Sequence, residues 1–185
     1  MNRLKYGRGY LCGPMEAAND NGADWRIRLQ RELTDLEVFW LDPTHKPTNI
    51  GIEDEQTKYI LNDLRSKGDY KLLRQMIQPI RSYDLRMVDI SDFLVVHLDR
   101  DTPTCGTWEE LFLANRQKKP VVLHYAQGKG KVPHWLFDVV PEQMMFSEWF
   151  EVFEYLRHIA YGTNIDDLNR WKFFDLSLCR TFNDE

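Results

Sequence analysis

Apolar and polar positions along the chain alternate between short apolar runs and longer amphipathic stretches. Gly9-Tyr-Leu-Cys12, Val38-Phe-Trp-Leu41, Phe93-Leu-Val-Val-His-Leu98 and Pro120-Val-Val-Leu-His124 read as strands, and Gln143 to Phe146 as a fifth. Trp25, Leu29, Leu33 and Leu36 share one face of a helix beginning near Ala23. Glu55 to Lys67 and Tyr70 to Met87 read as helices divided by Gly68-Asp69, with Pro79 expected to kink or divide the second. Trp108, Leu111, Phe112 and Ala114 mark a helix that ends before Pro120, and Val132 to Phe137 begins a short one with Pro133 in its first turn. Ser147 to Ala160 is amphipathic, with Trp149, Phe150, Phe153, Leu156 and Ile159 apolar, and the tail beyond Gly162 carries Trp171, Phe173 and Phe174. Strand–helix–strand units imply a mainly parallel sheet with right-handed crossovers. Thr44 to Glu53 is longer than an ordinary connection, which marks either a functional loop or an insertion.

Composition narrows this picture without identifying a function. At 185 residues, 43% hydrophobic and 29% charged, the chain suits one globular domain with a sizeable core. The expected organisation is a single α/β domain over 1–185, a mainly parallel five-stranded sheet flanked by helices. It carries a helical insertion at about 53–88 and a C-terminal helical tail at about 147–185. A net charge of −5 argues against binding duplex nucleic acid by phosphate neutralisation. Cys12, Cys105 and Cys179 are odd in number and lack metal-ligand spacing, so reduced thiols and a cytoplasmic location are expected. No apolar run reaches membrane-spanning length, and Met1 to Arg8 lacks a secretory core, so no membrane partner is expected.

The stretch Asp101 to Asn115 is where chemistry is expected. It places a polar loop with Gly106 between an apolar strand and a helix, and ligands in open α/β sheets bind at such strand ends. Glu109 and Glu110 fall at the start of that helix. Thr107 and Glu110 also match a capping box, which any ordinary helix uses. Dinucleotide and phosphate-loop glycine patterns are absent, as are metal constellations and a nucleophile elbow. His97 and His124 lie in strands and read as structural. Taken singly, Tyr10 reads as core and Asp84 as a solvated helix residue.

Together, these residues carry a resemblance. Gly9-Tyr-Leu-Cys-Gly-Pro-Met15, Asp84 in a Tyr-Asp-Leu context, and Gly106-Thr-x-x-Glu-Leu-x-x-Ala114 resemble the nucleoside 2-deoxyribosyltransferase family, which includes the related hydrolases of nucleoside 5′-monophosphates. The resemblance spans most of residues 9–140 and implies a Rossmann-like, flavodoxin-like fold and catalysis at an N-glycosidic bond. It implies Glu110 as nucleophile, Asp84 as the carboxyl that handles the nucleobase and its proton, and Tyr10 as the hydroxyl that positions nucleophile and sugar. Gly13, Thr104, Gly106, Thr107 and His134 are the implied substrate-binding residues, with His134 reaching the 5′ end of substrate in a neighbouring subunit. Thr104 stands where the transferases carry a second aspartate; the monophosphate hydrolases have a small hydroxyl residue there. Trp25 is one candidate for stacking on the base. A homodimer or higher homo-oligomer with shared sites is also implied. The residue chemistry agrees: one carboxylate stabilises or bonds an oxocarbenium-like carbon while a second carboxylic acid protonates the leaving base. That chemistry needs no metal or redox cofactor, and none is expected. Two alternatives remain: a nucleotide-sensing module without turnover, and hydrolysis of the glycosidic bond of NAD or ADP-ribose.

Overall fold

The computed structural model describes residues 1–46, 50–163 and 168–174; Pro47 in the long loop, and Cys179 with the rest of the tail from 175 onward, lie outside the described residues. Five strands form one sheet: β1 (Arg8–Cys12), β2 (Phe39–Leu41), β3 (Phe93–Leu98), β4 (Val121–Tyr125) and β5 (Met145–Phe146). They lie in the order β2-β1-β3-β4-β5, and every pairing is parallel. The chain leaves β1 toward one edge and returns past it to β3. The loops after β1 and β3 therefore diverge and open a crevice at their carboxyl ends.

Parallel register puts paired residues on a common face. Tyr10 pairs with Leu94 and Cys12 with Val96, while Leu11 pairs with Val95 and His97 with His124. Tyr10 and Cys12 thus face one helical layer, α3 (Tyr70–Ile90) and α4 (Gly106–Arg116). His97 and His124 face the other layer, α1 (Ala23–Glu32) and α6 (Trp149–Tyr161), where His97 lies tilted against Trp25 and His124 stacks on Trp149. The central strands are apolar because both faces are covered: Leu94, Val95, Val96, Val122 and Leu123 are all 0% exposed. Each contributes about 1.5–3 kcal/mol of burial.

The expected helices form, with local differences. α2 (Glu55–Lys67) is capped by the Asp54 side chain and ends at Gly68, and Asp69 caps α3. Pro79 does not divide α3, which runs unbroken through it. Its missing N–H removes one rung, while the second half of the helix buries Ile80, Met87 and Val88, and this packing carries the helix past the proline. α3 also continues to Ile90, so only Ser91 and Asp92 separate it from β3. Pro133 precedes α5 (Leu136–Val139) in a turn, instead of standing in its first turn. The expected fifth strand keeps only Met145 and Phe146, because Glu142 to Met144 form a 3-10 turn. Of the α6 residues, Phe150 is 67% exposed. In the tail, Trp171 is buried against Phe93 and donates from its indole nitrogen to Tyr155. No helix among the described residues is long and apolar enough to cross a membrane.

Candidate active site

α4 begins without the capping box that its sequence suggests. The helix is flanked by Cys105 with no side-chain cap, and Glu110 lies past the first turn, so the Thr107–Glu110 capping box does not form. Instead Thr104 Oγ accepts from the Thr107 amide at 3.3 Å, and the two threonine hydroxyls lie 2.5 Å apart. Glu110 turns inward, under the sheet edge. Tyr10 donates its hydroxyl to Oε1 at 2.9 Å, and Cys12 Sγ lies 3.0 Å from Oε2. Glu109 turns outward and pairs with Arg81 of α3. The two adjacent glutamates are thereby separated by environment: Glu110 is 8% exposed, and the Glu109 side chain 41%.

Burial raises the Glu110 pKa, while the Cys12 and Tyr10 donors and the nearby Arg26 charge pull it back toward the ionised form. Arg26 is itself fully buried; it donates to the carbonyls of Leu11, Gly13 and Gly22 and so ties the end of β1 to α1. Tyr10 stays a neutral phenol, because burial and the Glu110 charge push its ionisation well up.

Asp84 reaches the same site from α3. It is not solvated: its side chain is 13% exposed, and Lys46 Nζ lies 2.8 Å from Oδ1. The two charges form an ion pair. Lys46 also donates to Gly51 O at 2.6 Å and to Glu53 Oε1 at 2.8 Å. Gly51 makes the arrangement possible: at φ +68 it lies against α3, where a Cβ would come 3.0 Å from Ile80 Cα. Burial raises the Asp84 pKa to about 7, helped by Glu53 and Glu110 and opposed by Lys46. A carboxyl of that kind is half-protonated near neutrality, beside a second carboxyl held toward ionisation by two donors.

The other expected site residues divide. Thr104, Gly106 and Thr107 open α4 above Glu110, and a Cβ on Gly106 would meet no protein atom within 4 Å. Gly13 is filled by packing, since a Cβ there would come 2.8 Å from the Trp25 ring. Trp25 belongs to the opposite sheet face, stacked on Trp149 with centroids 5.2 Å apart, and is not brought to Glu110. His134 is exposed, next to Trp135, which is 78% exposed. His97 and His124 contact each other through Nδ1 at 2.9 Å, and burial lowers both to about 4. A cleft of about 330 Å³ opens beside the site between the loop after β1 and α2–α3, lined by Met15, Asn21, Thr57, Leu61 and Leu73. Of the Lys46 cluster only Glu53 lines it, and it does not reach Glu110.

Cys12, Lys46 and Glu53 were not singled out from the sequence. Cys12 had a signal, since two residues beyond Tyr10 in a strand means the same face. Lys46 and Glu53 had none, because their loop lacks any periodicity.

No family model matches the sequence, and no curated protein matches it either. The fold is similar to that of a 2-deoxyribosyltransferase from the psychrotolerant bacterium Bacillus psychrosaccharolyticus, at 18% identity and TM-score 0.52 over 80% of this chain and 92% of that one. It is similar to a 2-deoxyribosyltransferase from Leishmania mexicana at 17% identity and TM-score 0.53, over 82% of this chain and 98% of that one. A CMP N-glycosidase from Clostridium botulinum aligns at 14% identity and TM-score 0.45, over 81% of this chain and 97% of that one. The two deoxyribosyltransferase likenesses establish the fold, which is the one the sequence motifs imply.

Proposed function

We propose that the protein cleaves or transfers at the N-glycosidic bond of a nucleoside or nucleoside 5′-monophosphate, with Glu110 as nucleophile. The observation that carries this reading is the Glu110 carboxylate itself, almost fully buried at the sheet's switch point with a donor on each oxygen. A buried carboxylate so held is suited to meet a carbon that gains positive charge. The fold shared with two deoxyribosyltransferases supports the same reading.

In the proposed reaction a Glu110 oxygen bonds the anomeric carbon as the bond to the base nitrogen breaks. The base leaves with that electron pair and takes the proton of Asp84, which a pKa of about 7 makes available near neutrality. Water or a second base then bonds the anomeric carbon as its bond to Glu110 breaks, which returns the Glu110 carboxylate, and Asp84 recovers a proton from the attacking group. Tyr10 holds Glu110 throughout. Thr104 and Thr107, with the opening of α4, suit an anionic or hydroxyl 5′ end. His134 and the exposed Trp135 suit a face shared with a second copy of the chain.

Incubation with nucleosides, nucleoside 5′-monophosphates and NAD, with and without a second base, tests the reading through free base and exchanged product. Base release without exchange identifies a hydrolase; exchange identifies a transferase. Tight nucleotide binding with no product from any of them, NAD included, refutes catalysis.

A further inference from the structure

Cys12 takes no part in the steps above, yet it is one of two groups that grip the carboxylate on which they turn. The thiol is free and fully buried, with Sγ 3.0 Å from Glu110 Oε2 and 3.7 Å from the Thr107 carbonyl. Burial and the Glu110 charge push its ionisation well up, so it remains S–H. Its single proton goes to the nearer, charged acceptor. Tyr10 meanwhile gives its hydroxyl to Oε1. The two oxygens are held by unequal donors: a phenol is strong, a thiol weak. Tyr10 and Cys12 stand two residues apart on the same face of β1, so each oxygen meets its own donor.

We propose that Cys12 is a positioning residue that holds Glu110 Oε2 with a weak hydrogen bond, leaving that oxygen the freer of the two to bond the anomeric carbon. This rests on the proposed role of Glu110 as nucleophile. The other groups that act on Glu110 are Tyr10 from β1, Arg26 from α1, Glu53 from the long loop and Asp84 from α3, and none is altered by changing Cys12.

The test compares wild type, Cys12→Ala and Cys12→Ser in pH profiles of base release, with thermal unfolding as a control. Cys12→Ala removes a donor from a buried carboxylate, so the acid limb of kcat/KM moves up by about one pH unit. The kcat value falls while KM stays within about twofold. Cys12→Ser restores the acid limb, and its stronger donor leaves kcat below wild type. If Cys12→Ala does not fold, Cys12→Ser carries the test through the same limb. An active wild type whose acid limb is unmoved by Cys12→Ala, or whose limb moves upward in Cys12→Ser, overturns the role of Cys12 and leaves that of Glu110 standing. A wild type that releases no base from any nucleoside or nucleotide overturns both.

Discussion

Replacing Asp84 with asparagine measures what it costs the fold to keep a protonatable carboxyl beside the site. Asp84 moves from an ordinary 3.8 to about 7 on folding. That is roughly three units at about 1.4 kcal/mol each, so ionising it in place costs about 4 kcal/mol. Because the folded chain holds this proton more tightly than the unfolded chain, the contribution is fully present below about pH 4. It falls as pH rises across the interval and is gone above about pH 7. The side chain is only 13% exposed, so solvent screens little of it. Between about pH 5 and about pH 8.5 the wild type should lose about 3 kcal/mol of stability through Asp84 alone. Asp84→Asn should not, so its stability relative to wild type should improve by about that amount from acid to alkaline pH. Urea unfolding of both proteins at the two pH values reads the difference directly. His97 and His124 titrate in both proteins and cancel. The variant should also lose base release, since an amide has no proton to give. Parallel pH dependence of stability in the two proteins would refute the reasoning.

Tyr10→Phe removes the donor to Glu110 Oε1 and should raise the acid limb of kcat/KM by about one to two pH units, the equivalent of a charge-assisted hydrogen bond of about 1.5–3 kcal/mol. An unshifted limb counts against Tyr10. Thr104→Val breaks the hydroxyl pair at the start of α4 and should raise KM for monophosphates by about tenfold while leaving nucleosides unchanged. Equal effects on both mean that Thr104 does not recognise the phosphate. Gly51→Ala places a Cβ 3.0 Å from Ile80 Cα at a positive φ. Thermal unfolding should show a loss of about 1–2 kcal/mol, with weakened turnover from displacement of Lys46 and Glu53; unchanged stability would mean the loop adapts freely.

Much of the fold was legible because the physics was local. Phe93 to Leu98 and Val121 to Tyr125 are apolar but for His97 and His124 since both their faces are covered, and the helix between them keeps its period. Pro79 does not divide α3, because packing of Ile80, Met87 and Val88 outweighs one lost hydrogen bond. Glu110 and Thr107 match a capping box in sequence, but the neighbouring strand offers Glu110 two donors that no local pattern records. Asp84 looked solvated because its partner Lys46 arrives from an aperiodic loop held on α3 by Gly51. Trp25 offered itself as a stacking ring only while the sheet face it packs on was unknown.

The sharpest measurement is base release by Glu110→Gln against wild type, on the substrate the wild type turns over. A nucleophilic Glu110 requires release to fall by roughly a thousandfold or more. The melting temperature should be retained, since glutamine keeps the shape and removes a buried charge. Turnover within tenfold of wild type, from a folded Glu110→Gln protein, would contradict the account.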